Sequence, residues 1–270
     1  MPGEAIRVDS LDMILIHGSG STGEQLAVLR DNFQQCGWNV HVPTLRHHDA
    51  TVGNQAELVA GVSLRDYADD VAQLAGNLNR PLIGGFSMGG LIAQLVASRV
   101  AHRGLFCVAP APGPGMLAPL REALVLGRHF VEATPWRKPI APSSWEDFRR
   151  CVANEQDETA ARKLHNNQVF ESGRVFAEVY LPHLDHGHAA RVDYQAETGP
   201  VLVIGGSKDR IVSTNVCRQT AAHYPHGQYV EIDGADHMLV AGRFVATVLH
   251  HLYEWIADNQ LTADQHLTQP

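Results

Sequence analysis

Pro81-Leu82-Ile83-Gly84-Gly85-Phe86-Ser87-Met88-Gly89-Gly90-Leu91-Ile92 is the stretch from which the fold can be read. It begins as a short apolar run, Pro81 to Gly84, and ends in the apolar face of a helix carrying Leu91, Ile92, Leu95 and Val96. Between the two, Gly85-Phe86-Ser87-Met88-Gly89 fits the pattern G-x-S-x-G. A strand that becomes a helix within so few residues puts the middle residue in a strained backbone conformation. Side chains two positions before and after it would collide, and glycine at 85 and 89 removes them. The Ser87 hydroxyl is then projected above the C-terminal edge of a sheet. The N–H groups of Met88 and Gly89 open the helix, where its dipole and free donors suit a developing negative charge. A Gly-rich helix start without chemistry is the competing reading.

Outward from this turn, short apolar runs alternate with amphipathic stretches. Met13-Ile14-Leu15-Ile16 ends at His17-Gly18, Val40-His41-Val42 at Pro43, and Val201-Leu202-Val203-Ile204 at Gly205-Gly206. Leu105-Phe106-Cys107-Val108 and Tyr229-Val230-Glu231-Ile232 are further runs of this type. Each is predicted as a buried strand. Helical spacing relates Leu64, Val71, Leu74 and Leu78, and again Phe244, Val245, Val248, Leu249, Leu252 and Trp255. Such alternation predicts an α/β fold with a mostly parallel central sheet flanked by helices. The alternation breaks between about residues 110 and 197. Pro110, Pro112, Gly113, Pro114 and Gly115 read as a linker. Helical stretches are then expected at 119–131, 145–154, 158–165 and 170–180, with no convincing buried strand. The expected organisation is a core of residues 1–110 and 197–270, interrupted by an inserted helical cap (lid), residues 111–196. The polar end beyond residue 262 is expected to fray.

A serine hydroxyl is a poor nucleophile without a base, and the base needs an orienting acid. His237 lies in Asp233-Gly234-Ala235-Asp236-His237-Met238, after the last predicted strand. Asp209 lies in Gly205-Gly206-Ser207-Lys208-Asp209-Arg210, directly after the strand ending at Ile204. Both fall on loops at the sheet edge that carries Ser87. Asp236 and Asp233 compete with Asp209 for the acid role. Asp236 adjoins His237, which tends to point the two side chains apart, so Asp209 is preferred.

With these residues in place the chain resembles the α/β-hydrolase fold superfamily, as a serine esterase or lipase-like member with a helical cap. The likeness is carried by the elbow around Ser87, by Gly206-Ser207-Lys208-Asp209-Arg210-Ile211-Val212 as acid loop, and by Gly234-Ala235-Asp236-His237-Met238 as histidine loop. It spans Ile14 to about Val240. The order Ser87, Asp209, His237 is that of the superfamily; His47-His48 comes before the nucleophile, where this fold does not place its base. The resemblance implies a catalytic triad of these three residues. It also implies an oxyanion hole built from the backbone N–H of Met88 and of Ser19, since His17-Gly18-Ser19 is similar to the family's H-G-x segment. That Gly-rich loop lacks the G-x-G-x-x-G spacing and the lysine of a phosphate cradle. His17, Gly18, Trp136 and Trp145 are expected at the substrate pocket. The insertion's aromatic residues, including Phe148, Phe170, Phe176 and Tyr180, either line that pocket or pack the insertion itself. Glu171 and Arg174 are either a solvated helix pair or a substrate contact.

The implied activity is hydrolysis of a small-to-medium carboxylic ester, lactone or thioester through an acyl-enzyme on Ser87, with no metal or organic cofactor. The alternatives are C–C bond hydrolysis, perhydrolysis or lyase chemistry on the same fold, and a non-catalytic, hydrolase-like ligand-binding protein.

Bulk composition narrows the partners. The chain has 270 residues, 44% of them hydrophobic, enough for one large domain with a real core. A formal charge of −8 without a basic run argues against nucleic acid. No stretch reaches the ~18 apolar residues of a membrane span. Cys36, Cys107, Cys151 and Cys217 are widely spread and read as reduced thiols. With no apolar core of a signal peptide at the N-terminus, a cytoplasmic location is expected. The partner is expected to be a small, partly apolar ester, and a homodimer is left open. Histidine is abundant at sixteen. His183, His186 and His188 do not form a recognised metal-ligand pattern, though three imidazoles so close in sequence could hold a metal.

Overall fold

Residues 11–49, 51, 53–116, 135–196 and 199–262 are described by a computed structural model. The apolar runs become the strands β1 (Asp12–Ile16), β2 (Asn39–His41), β3 (Leu82–Phe86) and β4 (Gly104–Val108). Two short strands follow within the insertion, β5 (Pro139–Ile140) and β6 (Glu171–Ser172), and then β7 (Val201–Gly206) and β8 (Gly227–Ile232). Six of these make one parallel sheet in the order β2-β1-β3-β4-β7-β8. Every residue of β1, β3, β4 and β7 is buried. That is why these strands read as continuous apolar runs and not as alternating ones.

Helices α1 (Ala27–Gln35), α2 (Gln55–Val59), α3 (Leu64–Gly76) and α4 (Met88–Ala97) belong to the first half of the core. The insertion holds α5 (Trp145–Cys151), α6 (Glu158–Asn166) and α7 (Gly173–Tyr180), and the core closes with α8 (Thr214–Ala222) and α9 (Val245–Asp258). The helices flank the sheet as the alternation predicts. Ser63 and Asp66 form a capping box that starts α3. All ten residues of α4 are buried, so this helix is held by packing against β3 and β4 rather than by one apolar stripe.

Topology places the chemistry. From β1 the chain runs outward to β2, then returns past β1 to β3 and builds the sheet in the other direction. The C-terminal ends of β1 and β3 therefore bound the crevice where the strand order reverses, the usual ligand position in open parallel sheets. The loop 17–22 follows β1 and Ser87 follows β3. The loops after β7 and β8 open at the same edge.

The insertion departs from the helical reading in one respect: β5 and β6 pair as a two-residue antiparallel ribbon. Strands this short carry no period, and the expected helix 170–180 begins only at Gly173. The expected helix 119–131 lies outside the described residues. Polar bonds, not only apolar packing, attach the insertion to the core. The Gln55 amide pairs with both backbone groups of Phe170 (3.0 and 3.1 Å). Glu178 accepts from the Ser63 hydroxyl (2.8 Å) and the Leu64 N–H (2.7 Å) at the start of α3. Asp236 accepts from the Glu155 N–H and the Gln156 amide, both at 2.8 Å.

The two elbow glycines are steric requirements. A Cβ on Gly85 would lie 2.1 Å from the Gly89 carbonyl oxygen, and one on Gly89 would lie 2.2 Å from the Ile16 carbonyl oxygen of β1. Gly89→Ala is therefore expected to cost more than about 2 kcal/mol of unfolding free energy. A urea titration checks this; a wild-type midpoint and slope would show that α4 can shift away from β1 freely.

Candidate active site

β3 ends at Phe86 and α4 begins at Met88, so Ser87 alone makes the turn. Its φ of 53° and ψ of −120° place a non-glycine residue in the disfavoured positive-φ region. The conformation is over-determined by its neighbours. The Ser87 N–H donates to the Val108 carbonyl (2.9 Å), and its own carbonyl accepts from Gly90 and Ala111 (2.9 Å each). The side chain is thereby left to face the cleft.

The three residues expected to work together meet. Ser87 Oγ lies 3.1 Å from His237 Nε2, and His237 Nδ1 lies 2.7 Å from Asp209 Oδ2. The other Asp209 oxygen accepts the N–H groups of Ile211 (2.7 Å) and Val212 (2.8 Å). The Asp209 side chain has no exposure and that of His237 only 6%. An aspartate fixed in this way holds the proton of His237 on Nδ1 and leaves Nε2 to accept from Ser87. The Phe86 ring packs 5.0 Å from the imidazole. The competing acids are used elsewhere. Asp236 is fully buried and tied to Glu155, Gln156 and Met238, and Asp233 accepts from the Ser207 hydroxyl.

Ser19 and Met88 both line the cleft over Ser87. Among the described residues, neither backbone N–H has a hydrogen-bond partner. The flanking residues are held from two sides. The Gly18 N–H donates to the Gln25 amide oxygen (2.9 Å), and the Gly18 carbonyl accepts from His17 Nδ1 (2.9 Å). The Gly20 N–H donates to Glu171 (3.0 Å), and its carbonyl accepts from the Val169 N–H (2.9 Å).

The cleft is lined mainly by apolar side chains, among them Ile140, Phe148, Val152, Val175, Phe176 and Ile211. The residues expected at the pocket are distributed differently. His17 is fully buried beneath the loop, and Gly18 faces Gln25 and Phe86; neither lines the cleft. Trp136 is 41% exposed in an outer groove beside Leu181 and Leu184. Trp145 packs between the Arg162 guanidinium and the His165 ring. Of the insertion's other aromatics, Phe148, Phe176 and Tyr180 line the cleft and Phe170 does not. Residue type alone does not tell which side of a thin layer a ring faces.

Glu171 and His48, undecided or set aside in the sequence reading, form the most heavily bonded group beside the site. Glu171 Oε2 accepts from His48 Nε2 (3.0 Å) and from Gly20, while Oε1 accepts from the Tyr67 hydroxyl (3.0 Å) and the Ser172 N–H (2.7 Å). His48 Nδ1 faces the Arg46 carbonyl at 3.2 Å. An acceptor at each ring nitrogen favours the imidazolium form of His48. Burial works against both charges, but the Glu171 carboxylate outweighs it and raises the His48 pKa. On Glu171, the His48 charge and the Ser172 and Gly20 donors likewise overcome burial and hold the carboxyl down at about 2. Arg174, its suspected partner, instead pairs with Glu178 at 2.8 Å. No local pattern in the sequence brings residues 48, 67 and 171 together.

His183, His186 and His188 are all exposed. Among the described residues, the one group of His, Cys, Asp or Glu within reach of a shared metal is instead His250, His251 and Glu254 on the surface of α9. None of the four cysteines, all among the described residues, forms a disulfide. Among the described residues, no helix is long and apolar enough to cross a membrane.

Residues 11–242 match the family described as serine aminopeptidase, S33. Among curated proteins, none matches the sequence. Solved structures share the fold. An esterase from Thermogutta terrifontis is similar over 92% of this chain and 90% of its own, with 22% identity and a TM-score of 0.66. A monoacylglycerol lipase from Paleococcus ferrophilus covers 92% and 94%, with 17% identity and a TM-score of 0.68. A methylesterase from Arabidopsis covers 92% and 99%, with 13% identity and a TM-score of 0.67.

His17 gives a pH signature. Burial first, then the charge of His48, lowers its pKa from 6.5 to about 3, in keeping with Nε2 accepting the Leu45 N–H at 3.0 Å. The unfolded chain takes up this proton below pH 6.5 and the folded one does not. The contribution is therefore complete above pH 6.5 and is lost as pH falls toward 3. Above the ordinary carboxylate value of 4.5, Glu171 adds no slope. Between pH 6.5 and 4.5, unfolding free energies from urea titrations should fall more steeply in wild type than in His17→Asn, by about 1.4 kcal/mol per pH unit. Parallel slopes would mean that His17 titrates normally in the folded chain.

Proposed function

This chain belongs to the α/β-hydrolase family described as serine aminopeptidase, S33, and we propose that it is a serine hydrolase cleaving carboxylic esters with an apolar acyl or alcohol part. The observation that carries this reading is the relay Asp209–His237–Ser87, with contacts of 2.7 and 3.1 Å, at the floor of an apolar cleft. Ser87 Oγ attacks the ester carbonyl as His237 Nε2 takes its proton. The carbonyl π electrons move onto oxygen, where the N–H groups of Ser19 and Met88 receive the charge. Collapse of this intermediate expels the alkoxide, which takes the proton from His237 and departs as alcohol. Water, deprotonated by His237, then attacks the acyl-Ser87, and the bond to Ser87 Oγ breaks as that proton returns to it and the acid leaves. Asp209 keeps the proton of His237 on Nδ1 and stabilises the imidazolium. Residues 111–196 act as a cap, and their described part between Ile140 and Tyr180 supplies most of the apolar wall.

The cleft favours an ester over the substrate of an aminopeptidase. An aminopeptidase needs an acceptor for the charged substrate amine. Among the described residues lining the cleft, Glu171 is the one carboxylate, and its two oxygens already serve four donors. An ammonium placed there would break a satisfied buried pair. The solved relatives of the fold include an esterase, a lipase and a methylesterase, which supports the same class. Four cysteines outside any disulfide support a reducing, cytoplasmic setting.

The full chain is expected to hydrolyse p-nitrophenyl esters of four to ten carbons and to be labelled by a fluorophosphonate. Ser87→Ala should abolish both, and Asp209→Asn should lower kcat on the order of 10⁴-fold. Faster cleavage of aminoacyl p-nitroanilides than of neutral esters would overturn the ester assignment. An unlabelled wild type would overturn the activated serine.

A further inference from the structure

We propose that Glu171, together with His48, is a positioning residue for the oxyanion donor: a buried carboxylate from the insertion that grips Gly20 and so aims the N–H of Ser19. The inference rests on the reading of Ser19 as a donor to the oxyanion.

The geometry divides the loop after β1 into two anchored ends. Gly18 is held by the core alone, through Gln25 and His17. Gly20 is held by the insertion alone, its N–H by Glu171 and its carbonyl by Val169. Ser19 is strung between them. Gly20 sits at φ +61°, where the backbone has no side-chain restraint of its own and depends on these two bonds. A loop peptide free to rotate would present its N–H to the oxyanion only part of the time, and a preorganised donor is worth more than a mobile one.

A neutral acceptor would hold Gly20 less firmly. The carboxylate accepts a shorter, stronger bond than an amide does, but a lone charge in this position would be prohibitive to bury. His48 resolves this. It is fully buried and places its Nε2 on the same oxygen that receives Gly20. Tyr67 and Ser172 satisfy the other oxygen. The His48 ring is in turn braced edge-on by His17 (5.2 Å) and Tyr67 (5.4 Å). The core thus supplies the counter-charge, the insertion supplies the carboxylate, and the bond that leaves the pair ends on the oxyanion loop.

The two oxygens of Glu171 make the idea separable from a general loss of stability. Turnover of p-nitrophenyl butyrate and inhibition by an alkyl trifluoromethyl ketone, whose tetrahedral adduct needs the same donors, are measured on the full chain. Glu171→Gln should lower kcat by about 10- to 100-fold and weaken the ketone in proportion, while KM stays within about twofold. Tyr67→Phe, acting on the oxygen that does not hold Gly20, should stay within about threefold of wild type. His48→Leu should fall as Glu171→Gln does, and His48→Gln, which keeps a donor on Oε2, should recover most of the loss. If Glu171→Gln fails to fold, the two His48 variants carry the same comparison. Wild-type kcat in Glu171→Gln, equal losses in His48→Leu and His48→Gln, or an equal loss in Tyr67→Phe would overturn the proposal. Each would do so while an inactive Ser87→Ala leaves the hydrolase reading standing. An active Ser87→Ala would overturn both.

Discussion

One backbone angle organises this molecule. Ser87 is held at φ 53°, and nothing in serine itself favours that conformation. It persists because β3 delivers the chain between β1 and β4, α4 leaves at once, and Gly85 and Gly89 let strand and helix close to within backbone contact. The all-buried α4 follows from the same demand. A helix that starts under the sheet's own edge has no face left for solvent. The strain at one residue is offset by apolar packing spread over the central strands and this helix.

The core was legible because its physics is local and repetitive. Strands buried on both faces must be apolar throughout, and Met13 to Ile16, Leu105 to Val108 and Val201 to Ile204 announce themselves as such. Once the strands are placed, the loops that follow them share an edge. Asp209 and His237 could therefore be set near Ser87 without knowing a single distance. The insertion obeys no such rule. Its ribbon of two-residue strands has no period to detect. Its tryptophans, chosen by type as pocket residues, turn outward at Trp136 and sideways against Arg162 at Trp145. The quieter Phe148 and Phe176 line the cleft instead.

Glu171 shows why the rest was hidden. In sequence it is one acid in a stretch that resembles a helix face, beside an arginine at helical spacing. In the fold it is 2% exposed and bonded to residues from three other parts of the chain. A buried carboxylate is tolerated only where donors and a counter-charge converge, and convergence is a property of the tertiary structure. His48 was likewise visible only as one of a pair of histidines too early in the chain to act as base.

Two contacts complete the site, and both bridge long stretches of chain: 150 residues separate Ser87 from His237, and 151 separate Gly20 from Glu171. Neither can form until the later partner has been synthesised. A chain emerging from the ribosome therefore holds Ser87 before it holds the His237 that faces it, and Gly20 before the Glu171 that grips it. Loops this long form late and slowly relative to local contacts. Until then Ser87 has no imidazole beside it, and the loop after β1 lacks its bond to Glu171.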